Sequence, residues 1–389
     1  MKRALALALA LTAGKATAQT CGGSVSDFIA GVSEEAATRG ISAETSRQFF
    51  QGSGIDQSVL RADRAQGVFQ KDFISFSRAL ISQNRIDNGR IYGDRFDRTF
   101  DRIEAEFGIP RGVLLAFWAF ETDFGQVQGN FNTRNALLTL AHDCRRPELF
   151  RPQLIAAIEL FERGEFDPAT TTGAWAGEIG QVQMLPQDII DHGMDGDGDG
   201  RVDLKGSSPD ALMSGANVLS SLGWRPNEPW LQEIRVPSDL DWSITGLNKK
   251  RPVSEWADLG ITPREGALGP SDLEAAVLLP LGRNGPAFLA YPNFDVYFEW
   301  NKSLVYVTTA AYFGTRLMGA PVYDAGNPSA ALSGEEIKAL QTKLEARGFD
   351  VGGIDGILGA KTRDAVQTEQ QRLGLPADAW PTKDLLNAL

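Results

Sequence analysis

The stretch Ala116-Phe-Trp-Ala-Phe-Glu-Thr-Asp-Phe-Gly125 places one acid, Glu121, at the end of the apolar run Val113 to Phe120. Burial disfavours the charged form of a carboxyl group and raises its pKa. A glutamic acid that keeps its proton near neutral pH is a usable general acid. The plainer alternative is a glutamate that caps a loop or pairs with a buried arginine. Asp123 is not an obvious second carboxylate, because residues two apart on a helix do not share a face. Glu178 lies in the glycine-rich stretch Gly173 to Pro186 and is either an accomplice or a brace of that loop.

A second group of acids is Asp195-Gly-Asp-Gly-Asp-Gly200. Alternate acidic side chains converge on one hard cation, and glycine permits the sharp turn, so the segment resembles the start of an EF-hand loop. On that pattern Asp195, Asp197 and Asp199 are side-chain ligands and Arg201 gives its backbone carbonyl. The twelfth position is Gly206, which cannot ligate. Calcium fits better than magnesium because the donors are several flexible oxygens. A solvated acidic turn is the alternative. His142 and His192 are the only histidines, so neither a zinc spacing nor a histidine-based triad is present. No organic cofactor is expected.

These groups need elements to position them. Apolar spacing predicts helices over Phe73–Leu80, Phe96–Phe107, Arg111 to about Glu121, Leu137–His142, Pro152–Arg163 and Asp210–Leu222, after a helical lead-in over Asp27–Arg47. Pro110 suits a first helical position. The helix from Arg111 is apolar nearly all round, which marks it as buried. Between Pro226 and Pro292 the pattern is mixed, with strand-like pieces at Glu233–Val236 and Ala275–Leu279. Asp324 to Gly334 reads as a linker. Beyond it Ile337, Leu340 and Leu344 share a helical face, Thr362–Leu373 forms a second helix, and Leu385, Leu386 and Leu389 close the tail. The expected class is mainly α (α+β), with small β elements and a small helical C-terminal unit.

The 389 residues suffice for one large domain and one small one. Met1-Lys2-Arg3, the apolar stretch Ala4–Ala13 and Ala16-Thr17-Ala18 predict a signal peptide over residues 1–18, cut before Gln19. A buried helix that stays on is the alternative. Losing Lys2, Arg3 and Lys15 would take the net charge from −12 to −15. That balance argues against nucleic acid or an anionic membrane surface as partner. No later segment is apolar enough over sufficient length to cross a bilayer. There are only two cysteines, Cys21 and Cys144. In an oxidising compartment such a pair is expected to be joined; two buried thiols is the other reading.

Several motifs carry a family resemblance. Glu121-Thr-Asp-Phe-Gly125, Gly173-Ala-Trp-Ala-Gly-Glu-Ile-Gly-Gln-Val-Gln-Met-Leu-Pro186, Asp195 to Trp224, Tyr291-Pro-Asn-Phe294 and Trp300-Asn301 occur in the order seen in lytic murein transglycosylases of the membrane-bound B type. The chain resembles that family over most of residues 60 to 320. The resemblance implies a lysozyme-like helical catalytic domain over residues 19–324. It implies Glu121 as the only acid/base, acting on the bond between N-acetylmuramic acid and N-acetylglucosamine and forming a 1,6-anhydro sugar without water. It further implies substrate contacts at Gln183, Asn301 and Tyr306, an arginine pair at Arg145 and Arg146 suited to the acidic peptide stem, aromatic contacts at Trp300 and Phe76, and Asp210 as the closing metal ligand. The chain departs from the family pattern at Ala174, where a serine is usual, at Val182, Met184 and Leu185, and at Trp300 and Phe76, where tyrosine is frequent.

Residues 334–389, after a linker over 325–333, resemble a three-helix peptidoglycan-binding domain. The resemblance rests on Leu340 to Phe349 and Gly353 to Val366, with Glu369 where an aromatic core residue is usual. Together the two resemblances imply an exported, periplasmic enzyme of a Gram-negative bacterium, a monomer that acts on peptidoglycan glycan strands. A hydrolase of the same fold and a non-catalytic wall-binding scaffold are the alternatives.

Overall fold

The computed structural model describes residues 21–65 and 71–389, so the expected signal segment 1–18 lies outside the described residues. The chain divides into two compact units. One holds the residues up to Asp63 with Phe131–Thr171 and Trp175–Gly177; the other holds Arg64–Asn130, Thr172–Ala174 and Glu178–Leu389.

The first unit is helical. The single lead-in expected over Asp27–Arg47 is two helices, Val25–Thr38 and Ala43–Phe49. Gly40 adopts φ +88°, which stops the first, and the Ser42 side chain accepts from Thr45 N to start the second. Thr133–His142 and Pro147–Glu162 complete the unit; the latter begins at Pro147, with Pro152 inside it. Buried Arg134 donates to the carbonyls of Phe49, Gln51 and Gly52 at 3.1, 2.8 and 3.1 Å, closing the open end of the Ala43–Phe49 helix. Cys21 and Cys144 form a disulfide across 123 residues. A cross-link closing so long a loop stabilises by about 5 kcal/mol in the chain-entropy account.

The second unit combines helices with a five-stranded antiparallel sheet. Its strand order is Arg251–Pro252, Glu274–Leu278, Phe288–Ala290, Leu231–Arg235 and Thr262–Pro263. The two strand-like pieces read from the sequence lie at Leu231–Arg235 and Glu274–Leu278, and Leu231 and Ala276 both pair with Ala290. The sheet buries Val277, Leu289 and Tyr291 against Trp256.

The apolar helix spans Arg111–Thr122, and every residue from Gly112 to Ala119 is buried. It packs along Leu304–Leu317, a helix the sequence did not announce. At the crossing Gly112 meets Gly314 so closely that a Cβ on Gly112 would lie 2.6 Å from the Gly314 carbonyl oxygen. No side chain separates the two backbones there.

Three C-terminal helices, Gly334–Glu345, Ala360–Arg372 and Lys383–Ala388, share a small core of Ile337, Leu340, Leu344, Val366 and Leu385. Ser333 and Glu336 form a capping box at its first helix. Glu369 is buried and paired, with Arg372 at 2.8 Å and Arg347 at 3.8 Å. The three helices are fastened in place. Gln367 donates to the carbonyls of Trp242 and Thr245 at 3.1 and 2.9 Å, and Arg363 donates to the Pro280 carbonyl at 2.5 Å. Trp380 donates to the Ser329 carbonyl at 3.0 Å, which anchors the segment read as a linker.

Candidate functional site

Glu121 stands in the last turn of the Arg111–Thr122 helix, where the negative end of the helix dipole also disfavours a carboxylate. The side chain is half-buried, and one oxygen, Oε1, takes two donors. The indole Nε1 of Trp300 donates at 3.0 Å and the phenol of Tyr306 at 2.7 Å. Desolvation raises the Glu121 pKa above the ordinary carboxyl range, and it outweighs these two hydrogen bonds, which act in the opposite sense. Tyr306 is held well above its own usual value, first by burial and then by the neighbouring Glu121, so it stays a neutral donor. Trp300 lies against Phe117, with ring centroids 4.6 Å apart, and Tyr306 meets Phe120 edge-on at 5.9 Å.

Trp300 ends the helix Pro292–Trp300 and Tyr306 lies in the first turn of Leu304–Leu317. Asn301 sits between them and accepts from Ser303 N at 2.9 Å, fixing the turn that brings both donors to one carboxyl group. Asn301 also lines a cleft of about 680 Å³ whose lining includes Asp355, Lys361 and Trp380 of the C-terminal region. Glu121, Trp300 and Tyr306 are not among the walls of that cleft.

The helix bearing Glu121 is tied to the glycine-rich loop by Gln181, which sequence reasoning passed over for Gln183. Gln181 Oε1 accepts from Trp118 Nε1 at 3.1 Å and from Ser208 Oγ at 3.0 Å. Its carbonyl accepts from Thr122 Oγ1 at 2.5 Å. Gly125, at φ +82°, has no room for a Cβ beside that same side chain. Gln183 adopts φ +55° at the tip of a tight turn closed by the Ile179–Met184 bridge, and its Nε2 donates to the Gly180 carbonyl at 2.7 Å. Strained backbone of this kind clusters at functional sites. The departures Val182 and Met184 are buried in the core. Ala174 N donates to the Glu178 carbonyl at 2.9 Å, so the backbone of both residues shapes the loop.

The other acids and bases are positioned as follows. Asp123 pairs with Arg85 at 3.0 Å and takes no part in the Glu121 cluster. Phe76 packs against the main core. Arg145 and Arg146 both close on Asp63, which is only 1% exposed; Arg145 reaches its carboxylate at 2.6 Å. Burial pushes Asp63 up, but the two guanidinium groups prevail and hold it below the usual range. Asp195, Asp197 and buried Asp210 bring carboxylate oxygens within 4.8 Å of one another, while Asp199 is outside that set. Asp210 braces the loop, accepting from Gly196 N at 2.8 Å and from Asp203 N at 2.7 Å. Arg201 N donates to Asp199 Oδ1 at 2.9 Å.

Residues 24–315 match the family described as Transglycosylase SLT domain, and residues 333–389 match a peptidoglycan-binding domain family. The chain belongs to the SLT family of lytic transglycosylases, enzymes that act on peptidoglycan. The crystal structure of SltB3 from Pseudomonas aeruginosa, solved in complex with NAG-anhNAM-pentapeptide, shares 34% identity, covers 94% of this chain and 99% of its own, and superposes with a TM-score of 0.85. Membrane-bound lytic murein transglycosylase B of Escherichia coli (strain K12) is 24% identical over 243 residues, 62% of this chain and 66% of that relative, so the chain spans about two thirds of the relative's length. Escherichia coli Slt35 in complex with calcium has the same fold at 23% identity, with a TM-score of 0.65 and coverage of 78% and 97%.

Proposed function

We propose that this enzyme cleaves the β-1,4 bond between N-acetylmuramic acid and N-acetylglucosamine with Glu121 as its single acid and base, leaving a 1,6-anhydro end. The observation that carries the reading is the Glu121 carboxyl group, whose pKa desolvation raises and which Trp300 and Tyr306 hold by hydrogen bonds. The neutral acid protonates the glycosidic oxygen as the bond to C1 breaks. The carboxylate then takes the proton of the muramic C6 hydroxyl while that oxygen closes on C1. A pair of carboxyls at set separation, as glycoside hydrolases ordinarily use, is not needed, and Asp123 is already committed to Arg85.

In this reading Gln183, Asn301, Phe76 and the face of Trp300 contact the sugars. Arg145 and Arg146 retain exposed surface beside Asp63, at 48% and 33%, for a peptide-stem carboxylate. The C-terminal helices hold peptidoglycan at a fixed place beside the Asn301 cleft, a stiffer arrangement than a loose tether and one that raises the local substrate concentration. The disulfide supports an oxidising, periplasmic setting. The monomer is the working unit in this reading. Purified sacculi digested with the enzyme and resolved by mass spectrometry test the activity: anhydro ends are expected. Reducing ends would favour the hydrolase, and no release with retained binding would favour the scaffold.

The acidic loop is proposed as a structural calcium site. Three carboxylates crowd together at Asp195, Asp197 and Asp210, and a set of oxygen donors alone suits a hard cation. Asp199 and the Arg201 carbonyl would complete the shell. Calcium there would brace the segment preceding the Ser208–Ser221 helix and has no duty in the proton transfers. Chelation should lower the melting temperature by several degrees, and Asp210→Ala should abolish that response. An unchanged melting curve in chelator would remove calcium from the account.

A further inference from the structure

A neutral carboxyl group has two unlike oxygens. The carbonyl oxygen is a good acceptor; the hydroxyl oxygen carries the proton and accepts poorly. In this site both donors converge on the same atom, Glu121 Oε1. Indole nitrogen can only donate, whereas a phenol can either donate or accept. A tyrosine at position 300 could turn its hydroxyl round and leave the proton on either oxygen. Tryptophan removes that freedom, and Trp300 is held in place against Phe117 at 4.6 Å.

We infer that Trp300 is a positioning residue which, with Tyr306, reserves Oε1 as the acceptor and leaves Oε2 as the one oxygen that gives the proton and takes it back. The inference rests on Glu121 being the acid and base. The steps then balance on a single atom. The Oε2–H bond breaks and its proton goes to the glycosidic oxygen, which leaves with the electron pair of the C1–O bond. The C6 hydroxyl then gives its proton to Oε2 as the C6 oxygen bonds C1. Because one oxygen serves both steps, the leaving sugar must clear Oε2 before the C6 hydroxyl can reach it. The two donors also strengthen as charge grows on the carboxylate, so they favour the first transfer.

Infrared difference spectra test the inference independently of turnover. The neutral Glu121 carbonyl band is assigned by comparison with Glu121→Gln, at a pH where the group is protonated. Trp300→Phe keeps an aromatic ring but lacks the N–H, and its band should move to higher wavenumber. Tyr306→Phe should move it likewise, and Trp300→Tyr should leave it nearer the parent position. In Trp300→Phe, kcat should fall about 10- to 100-fold with KM little changed. The alkaline limb of the rate profile should move to higher pH, since a lost donor favours the protonated acid. An unmoved band, or a raised KM with an unmoved limb, would make Trp300 a sugar platform only and overturn the inference. If Trp300→Phe does not fold, Tyr306→Phe and Trp300→Tyr decide on the same band. Full turnover in Glu121→Gln would instead overturn the underlying reading of Glu121.

Discussion

Glu121→Gln should lose about 10³- to 10⁴-fold in turnover on purified peptidoglycan while still binding it, the scale expected when a positioned acid and base is removed. Glutamine keeps the shape and can still accept from Trp300 and Tyr306, so the fold should stand. The same variant carries a signed prediction about stability. Well below the ordinary carboxyl pKa the group is neutral in both folded and unfolded chains and contributes nothing. Above it the unfolded chain ionises freely, whereas the folded one resists because burial raises the Glu121 pKa. The parent therefore loses stability as pH rises from the ordinary value through the raised one, and Glu121→Gln should be the more stable protein at pH 8. Denaturant midpoints at pH 4 and pH 8 check this; equal differences at both would contradict a raised pKa. The parent rate should fall along its alkaline limb as the acid ionises.

Gly112→Val should lower stability and activity together. A Cβ there meets the Gly314 carbonyl oxygen at 2.6 Å, and a backbone oxygen in a packed helix has no cheap escape. Overpacking of this kind costs about 3 kcal/mol. The price is paid at the contact that sets the distance between the helices of Glu121 and Tyr306, so their 2.7 Å bond should loosen as well. Gly359→Ala, where nothing lies within 4 Å, should be nearly silent. A Gly112→Val enzyme with parental melting temperature and kcat would show that the close crossing does not matter. The contrast is diagnostic: the glutamine variant should be inactive and stable, the valine variant weakened in both respects.

The apolar run singled out Glu121 as an acid in an unusual setting, but a loop cap or a buried ion pair fitted that setting too, and only the motif resemblance gave it a catalytic role. Its partners were not legible as partners. Trp300 and Tyr306 lie 179 and 185 residues further along, and only the turn at Asn301 brings them to the same oxygen. Sequence reading could name both as cleft residues by resemblance but could not show that they hold the carboxyl group. Gln181 and Gln183 sit two apart in one motif, and nothing in the spacing says that Gln181 faces inward to Trp118. Arg145 and Arg146 looked free to meet substrate because Asp63, 82 and 83 residues away, is an unremarkable aspartate until it is buried. Helices are missed where composition hides the period. Gln83–Arg95 is mostly polar with few buried positions, and Leu304–Leu317 is rich in β-branched and aromatic residues that read equally as strand.

The central claim is that the sugar closes on itself through Glu121 without water. Digestion of purified sacculi in ¹⁸O-enriched water, followed by mass analysis of the new muramic ends, tests this most directly. Anhydro ends free of the heavy isotope are predicted, and their formation should vanish in Glu121→Gln. Reducing ends carrying ¹⁸O from the parent enzyme would contradict the account.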